Sequence, residues 1–173
     1  MKLMRNTSIK FVDILVVEDN AGDARLIREV LNDNKIFNSL KVVKDGVEAL
    51  EFLRNKGKFK DEPKPDLIIL DLNLPRKDGR EVLSEVKNDD NLKHIPIVIM
   101  TISQAEEDIM KSYSLYANCY ITKPIDLDEF IKVIRSIEDF WFSIVKLPPK
   151  SNGGKSEVEL KVREPGKSNA KNR

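Results

Sequence analysis

The sequence predicts a doubly wound α/β domain, in which a parallel β-sheet lies between two layers of helices. Five short apolar runs recur along the chain, and most are rich in β-branched residues without polar alternation. Such runs are typical of strands that are covered on both faces. Stretches with helical spacing of their apolar residues separate these runs, and the alternation of the two patterns is the signature of this fold class.

The predicted elements follow one another in a regular order. The strands are expected at residues 14–17, 40–43, 67–70, 97–100 and 119–121. The helices are expected at residues 24–32, 47–55, 81–86, 106–115 and 127–142. Gly79 and the segment 126–129 indicate where the third and fifth helices begin. This domain is predicted to occupy residues 10–147, after a short N-terminal arm at residues 1–9.

The composition is that of a soluble cytoplasmic protein. Of the 173 residues, 40% are hydrophobic and 34% are charged, and no apolar run is long enough to span a membrane. The N-terminus lacks the apolar core of a signal peptide, which argues against secretion. The single cysteine, Cys119, excludes an internal disulfide and is consistent with a reducing compartment.

The C-terminal segment differs from the rest of the chain. Residues 148–173 are rich in proline, glycine, serine and lysine, and they are predicted to form a basic, disordered tail. They are too few and too polar for a helix-turn-helix, so no DNA-binding domain is expected. The GGKS stretch at 153–156 lacks the preceding strand and the first glycine of a phosphate-binding loop, which argues against nucleotide binding.

Polar side chains follow four of the five predicted strands. Glu18 and Asp19 follow the first strand, Asp71 the third, Thr101 the fourth and Lys123 the fifth. In an open α/β sheet, these carboxyl ends of the strands lie on one edge and form the ligand crevice. Three neighbouring carboxylates need a counter-charge, which Mg²⁺ supplies through hard oxygen ligands. A carboxylate neutralised in this way can accept a phosphoryl group, so the edge is predicted to carry Mg²⁺-dependent phosphoryl chemistry.

The motifs VVEDN, LIILDLNLPRKDG, IVIMT and YITKP resemble those of response-regulator receiver domains in two-component signalling. The resemblance covers nearly all of the domain and implies a CheY-like, flavodoxin-like (βα)5 fold with strand order 2-1-3-4-5. Three further features are similar to the stand-alone regulators that partner cyanobacterial phytochromes. They are LDLNLPRKDGREVL, the NCY-T-K stretch at 118–123, and a late FW followed by LP.

The resemblance implies a role for each residue of the phosphorylation site. Asp71 is expected to be the phosphoacceptor. Asp19 is expected to bind Mg²⁺ directly and Glu18 mainly through water. The backbone carbonyl of Asn73 is expected to complete the protein ligands of the metal.

The resemblance also implies a set of switch residues. Thr101 is expected to move toward the phosphoryl group, and Lys123 to bind it. The ring of Tyr120 is expected to turn with the phosphorylation state. The Lys123–Pro124 peptide bond is expected to be cis.

The resemblance implies a signalling switch rather than an enzyme. A sensor histidine kinase of the phytochrome type is the expected phosphoryl donor, and an unknown protein is the expected effector. A homodimer is also implied. The consecutive aromatic residues Phe140, Trp141 and Phe142 cannot all be buried by one helix face, so they are candidates for the dimer contact, with packing inside one chain as the alternative.

Three other functions remain as alternatives. A receiver-like module that binds partners without phosphorylation would keep the same fold. A phosphatase with an aspartate nucleophile would need an acid two residues after Asp71, where Asn73 stands. A flavin-binding module would need a hydroxyl-rich or glycine-rich loop after the first strand, where the sequence has EDNAGD.

One residue departs from the receiver pattern. Ile102 follows the switch threonine, where receivers often carry a small residue. Its bulk predicts restricted access to Asp71, and hence slow phosphorylation by small donors or slow hydrolysis of the acyl phosphate.

Overall fold

The computed structural model describes residues 9–33, 38–150 and 157–158. Its main sheet has five parallel strands: β2 (Val12–Val17), β3 (Asn38–Val43), β4 (Leu67–Leu70), β5 (Ile97–Thr101) and β6 (Cys119–Thr122). The spatial order is β3-β2-β4-β5-β6. Counted within this sheet alone, the order is 2-1-3-4-5, so the predicted fold class and strand order are confirmed.

Five α-helices connect and cover the strands. They are α1 (Ala21–Asn32), α2 (Gly46–Leu53), α3 (Gly79–Asn88), α4 (Glu106–Ser114) and α5 (Leu127–Glu138). A short 3₁₀ helix, Gly57–Phe59, follows α2. In the part of the chain that the structure describes, no helix is both long enough and apolar enough to cross a membrane.

Alternate residues of the strands supply two separate cores. On one face of the sheet, residues such as Val16 and Ile69 pack with the buried sides of α1 and α5. On the other face, Leu15 and Ile68 pack with α2 and α3. This double coverage explains why the strands read as uninterrupted apolar runs instead of alternating ones.

Helix α4 is held differently from the other four helices. Its only buried residue is Ser112, whereas Met110 and Tyr113 on the same helix are largely exposed. Because burial of apolar surface is the main source of packing stability, α4 is the helix that contributes least to the two cores.

The end of α5 departs from the prediction. The α-helix ends at Glu138, and residues Asp139–Ile144 continue as a π-helix instead of the predicted α-helix to residue 142. Trp141 and Phe142 pack partly against the α1–α5 core, while Phe140 remains 50% exposed. A single helix face does not accommodate three consecutive aromatic side chains, so one of them stays in contact with solvent.

The chain beyond the π-helix folds back to the opposite end of the sheet from the predicted site. Leu147 is buried in the α1–α5 core, and Lys150 Nζ forms ion pairs with Asp13 and Asp66. In addition, β1 (Ile9–Lys10) pairs antiparallel with β7 (Glu157–Val158). Residues 148–150 and 157–158 of the predicted tail are described here, whereas residues 151–156, with the GGKS stretch, and 159–173 lie outside the described ranges. The division into arm, domain and tail stays a prediction.

Candidate functional site

The register of the sheet brings the predicted site residues together. Val17 of β2 is paired with Leu70 of β4, so the residues that follow them, Glu18 and Asp71, lie side by side. Thr101 of β5 is paired with Thr122 of β6, and the amide N–H of Lys123 donates to the carbonyl of Thr101 at 2.8 Å. The carboxyl edge of the sheet thus brings together Glu18, Asp71, Thr101 and Lys123.

The ammonium group of Lys123 lies at the centre of the site. Its Nζ is 2.6 Å from Glu18 Oε2, 2.8 Å from Asp71 Oδ2 and 3.0 Å from Asp23 Oδ2. A lysine ammonium has three N–H donors, so each carboxylate takes one of them. Lys123, Glu18 and Asp71 are buried, and such short charge-assisted hydrogen bonds are strong in that setting.

Burial and charge act on these groups in opposite directions. The pKa of Glu18 is raised, because burial disfavours its carboxylate more than the hydrogen bond from Lys123 favours it. Burial on its own lowers the pKa of Lys123, but the hydrogen bonds and charges of Asp71 and Glu18 outweigh it, so the pKa of Lys123 is raised. Lys123 therefore remains charged at neutral pH and offsets part of the negative charge of the site.

The acids of this edge fit a divalent cation. Glu18, Asp19 and Asp71 each place one carboxylate oxygen so that the three oxygens lie within 4.8 Å of one another. Asp19 is exposed, whereas the other two acids are buried, which leaves one side of the cluster open to water. Hard oxygen ligands with open positions for water and a phosphate oxygen are the set that Mg²⁺ and Mn²⁺ take.

The loop after β4 holds the Asp71 carboxylate from its other side. The amide N–H of Asn73 donates to Asp71 Oδ1 at 3.1 Å. Gly79, the first residue of α3, lies against this loop, and a Cβ atom built on it would be 2.1 Å from the Asp71 carbonyl oxygen. The predicted role of the Asn73 carbonyl as a metal ligand stays a prediction.

The two predicted switch residues occupy different surroundings. Thr101 is fully buried at the end of β5, where its hydroxyl is 3.5 Å from Asn73 Nδ2. Tyr120 is partly buried, and its hydroxyl donates to the carbonyl oxygen of Ser103 at 3.0 Å. The Tyr120 hydroxyl thus contacts the loop between β5 and α4, which starts directly after Thr101.

The prediction for Pro124 is wrong. No peptide bond among the described residues is cis, so the Lys123–Pro124 bond is trans. A bond before proline favours trans by only about 0.5–1 kcal/mol. A Lys-Pro dipeptide in a motif does not by itself decide between two states that are so close in energy.

Several contacts of the site were not anticipated from the sequence. Asp23 is the third partner of Lys123. Ser103 Oγ donates to Asp108 Oδ2 at 2.6 Å, and Arg80 Nη2 is 2.6 Å from Asp108 Oδ1. The loop after β5 is thus bonded to α4, and α4 to α3. The sequence signal that could have indicated Asp23 was its place in the first turn of the helix that follows Glu18 and Asp19. The contact between Arg80 and Asp108 had no such signal, because the two residues are distant in sequence.

Two further predicted residues lie outside this cluster. The side chain of Ile102, the residue after Thr101, is 69% exposed, so it is not packed into the interior of the protein. Phe140 forms a T-shaped contact with Trp141, with ring centroids 5.5 Å apart, on the surface formed by the π-helix.

Comparison with known proteins identifies relatives over most of the chain. The family model of the response regulator receiver domain matches residues 14–135. The response regulator Rcp1 of Synechocystis sp. is 47% identical over 135 residues, which are 78% of this chain and 92% of Rcp1.

Two solved structures are similar at comparable identity. The phosphorylated cyanobacterial phytochrome response regulator RcpA has a TM-score of 0.79 and 47% identity, with 80% of this chain and 99% of RcpA covered. The Mn²⁺-bound form of Rcp1 has a TM-score of 0.78 and 46% identity, with the same coverage. This chain therefore belongs to the family of response regulator receiver domains, within which it is similar to the cyanobacterial phytochrome response regulators.

Proposed function

We propose that this chain is a cytoplasmic, single-domain response regulator of a two-component phosphorelay, in which Asp71 accepts a phosphoryl group. The observation that carries the proposal is the setting of Asp71. Its carboxylate is buried, is fixed by Lys123 and the Asn73 amide, and lies beside two further acids. Such a carboxylate is oriented for attack, and a bound cation would remove its repulsion of an incoming phosphate.

The cation in this proposal is Mg²⁺. Glu18, Asp19 and Asp71 would hold it, together with the carbonyl of Asn73, and the bound ion would neutralise charge on the phosphoryl oxygens. A divalent ion bound to the relative Rcp1 supports this assignment. The residues of this chain supply the rest: Asp71 the attacking oxygen, and Lys123 an ammonium that remains charged.

The phosphoryl donor in this proposal is the phosphohistidine of a sensor kinase, of the phytochrome type. A carboxylate oxygen of Asp71 forms the new P–O bond while the P–N bond to the donor imidazole breaks, and the imidazole leaves with its electron pair and takes up a proton. A groove of about 380 Å³ between α1 and α5 opens beside the site and is lined by Ile125 and Leu127, both largely exposed. Charged residues such as Arg25 also line it, so this groove next to the acceptor offers both apolar and polar contacts to a protein donor.

The switch in this proposal runs from Asp71 through Thr101 to Tyr120. The Thr101 hydroxyl would donate a hydrogen bond to a phosphoryl oxygen. Its movement would shift the following loop, whose Ser103 carbonyl accepts the hydrogen bond from Tyr120. The same loop leads into α4, which has little buried surface of its own. A small change at Asp71 would in this way alter the surface of α4 and β6, which an effector protein then reads.

A homodimer contact is the remaining part of the proposal. Phe140 and Ile144, on the π-helix, are 50% and 72% exposed, which leaves an apolar surface at the end of α5 beside the partly buried Trp141 and Phe142. A second copy of the chain would cover it. Sedimentation of Phe140→Ser should then show fewer dimers than the wild type, whereas Leu127→Ser, which is also exposed but remote from the π-helix in sequence, should sediment like the wild type.

Intact mass after incubation with acetyl phosphate tests the central claim. With Mg²⁺, the wild type should gain one phosphoryl group, and it should gain none with a chelator or in Asp71→Asn. Asp90→Asn, which removes an exposed acid elsewhere, should behave like the wild type. A phosphoryl group retained by Asp71→Asn would refute the acceptor assignment. No adduct with acetyl phosphate or with a phosphorylated sensor kinase would favour the binding module that works without phosphorylation.

A further inference from the structure

We propose that Asp23 is a specificity-determining residue of the phosphorylation reaction, which slows transfer from small anionic donors. This inference rests on the proposed function. Asp23 Oδ2 lies 3.0 Å from Lys123 Nζ, so it shares the ammonium with the phosphoacceptor. Its side chain is 33% exposed, compared with 2% for Glu18 and 8% for Asp71. Of the three partners of Lys123, Asp23 is therefore the one that faces the solvent from which a donor arrives.

The position of Asp23 is fixed by the start of α1. Asn20 caps the helix, and its side-chain oxygen accepts from the amide N–H of Asp23 at 3.0 Å. An acid in the first turn is also favoured by the helix dipole. Asp23 is not part of the carboxylate cluster formed by Glu18, Asp19 and Asp71. A metal ion bound by that cluster would therefore not be coordinated by Asp23 and would not directly neutralise its charge.

Two effects of this charge act against a free phosphate-bearing donor. The first is repulsion between the Asp23 carboxylate and the anionic donor at the mouth of the site. The second is competition, because all three N–H donors of Lys123 are already taken by carboxylates, and a phosphoryl oxygen must displace one of them. Both effects lower the rate at which a small acyl phosphate reacts with Asp71.

A protein donor is affected less by this charge. Asp23 also lines the groove between α1 and α5, with Gly22, Arg25 and Ile125. A partner that docks in this groove gains binding energy at a distance from the reacting group and can use it to offset the local repulsion. A free acyl phosphate has no such contact, so Asp23 favours docked donors over small ones.

Phosphorylation rates of charge variants test this inference. Asp23→Asn removes the charge but keeps a side chain of the same shape that still accepts a hydrogen bond from Lys123. Asp23→Glu keeps the charge. Glu29→Gln is the matched control, because Glu29 is on the same helix and is paired only with the exposed Arg25 in the ion pairs described. The rate of adduct formation with acetyl phosphate is measured by intact mass at saturating Mg²⁺, at low and high salt, after Mg²⁺ affinity and urea unfolding have been measured for each variant.

We expect Asp23→Asn to react about three- to tenfold faster than the wild type at low salt, the range for one partly screened charge at close distance. High salt should reduce this ratio, while Asp23→Glu and Glu29→Gln should stay near the wild-type rate. If the wild type is phosphorylated and Asp23→Asn reacts at the same rate or more slowly, the inference is overturned and the proposed function stays intact. If Glu29→Gln accelerates the reaction as much as Asp23→Asn does, the inference is overturned as well. An adduct on Asp23→Asn alone supports it. No adduct on either protein overturns the inference, and the proposed function is then decided by the phosphorylated sensor kinase as donor.

Discussion

At the scale of the residue, Lys123 decides the charge balance of the site. Its ammonium is the shared partner of Glu18, Asp71 and Asp23, and removing it would leave three adjacent carboxylates without that cation. Removing one partner of a buried ion pair destabilises a fold by about 3–5 kcal/mol, because the remaining buried charge is left unpaired. The stability of the fold is therefore linked to the same residue that is proposed to bind the phosphoryl group.

Lys123→Met should accordingly lower the free energy of unfolding by about 3 kcal/mol in the absence of metal. Urea unfolding with chelator and with millimolar Mg²⁺ measures it, and Mg²⁺ should stabilise the variant more than the wild type, because the ion takes over the missing positive charge. Lys132→Met is the control: Lys132 pairs with Glu129 on the exposed face of α5, and such pairs contribute little. Equal effects of the two substitutions would contradict this account.

Ile102 carries a second prediction at this scale. Its side chain is exposed, and it directly follows Thr101 in the sequence. If its bulk limits access to Asp71, Ile102→Ala should accelerate either phosphorylation by acetyl phosphate or hydrolysis of the acyl phosphate, both followed by intact mass. Ile125→Ala, the same substitution at another exposed isoleucine, separates this effect from a general loss of apolar surface. Unchanged rates in Ile102→Ala would remove any role for this residue.

The residues of the site differ in how far the sequence predicts them. Asp71 and Lys123 were predictable, because each follows a predicted strand and the carboxyl ends of parallel strands share one edge. The contact of Asp23 with Lys123 was not, since it depends on where α1 begins and on how far a lysine side chain extends. The peptide state of Pro124 was not either, because the two isomers differ by so little energy.

At the scale of the element, α3 is positioned by one close approach. A Cβ on Gly79 would lie 2.1 Å from the Asp71 carbonyl oxygen and 2.7 Å from the Cα atom of Leu72, and both atoms are backbone. The helix start can therefore lie against the phosphoacceptor loop only while this residue has no side chain. Asp78 and Glu81 fix the same start through a reciprocal capping box, so the beginning of α3 and the loop of Asp71 form one rigid unit.

Gly79→Ala should destabilise the protein by about 1–3 kcal/mol, as expected for overpacking against atoms that cannot move independently. Gly22→Ala is the matched control, because a Cβ there would meet only the Asn20 side chain at 3.2 Å in the first turn of α1. It should be neutral or stabilising by up to about 1 kcal/mol. Thermal or urea unfolding of both variants measures the difference, and a Gly79→Ala variant as stable as the wild type would show that the loop of Asp71 can yield.

Elements also differ in how well the sequence predicts them. The five helices and strands were recognisable, because each has its own apolar pattern over a few residues. The π-helix at Asp139–Ile144 was not recognisable, since the same aromatic residues fit an α-helical stripe until their packing against the α1–α5 core is known.

At the scale of the whole molecule, the C-terminal segment closes the end of the sheet opposite the phosphorylation site. Lys150 pairs with Asp13 in β2 and with Asp66 just before β4, and the amide N–H of Asp13 donates to Asp66 Oδ2 at 2.9 Å. The contact between Lys150 and Asp13 joins positions 137 residues apart in sequence, which no local pattern reveals. Leu147 anchors the same segment in the α1–α5 core.

Lys150→Met should therefore lower the free energy of unfolding by about 1–3 kcal/mol at neutral pH, because the buried Asp66 would lose its positively charged partner and keep only the Asp13 amide. The pKa of Lys150 is raised: burial alone lowers it, but the hydrogen bond to Asp13 and the charge of Asp66 outweigh that effect. The ion pairs of Lys150 thus contribute fully to stability below the ordinary lysine pKa, and this contribution is lost as pH rises through the raised pKa of Lys150.

Urea unfolding from neutral to alkaline pH should show that the difference in stability between wild type and Lys150→Met becomes smaller at the alkaline end. Lys146→Met, an exposed lysine of the same segment, should track the wild type throughout; a constant difference for Lys150→Met across this range would mean that the lysine acts through its packing and not through its charge.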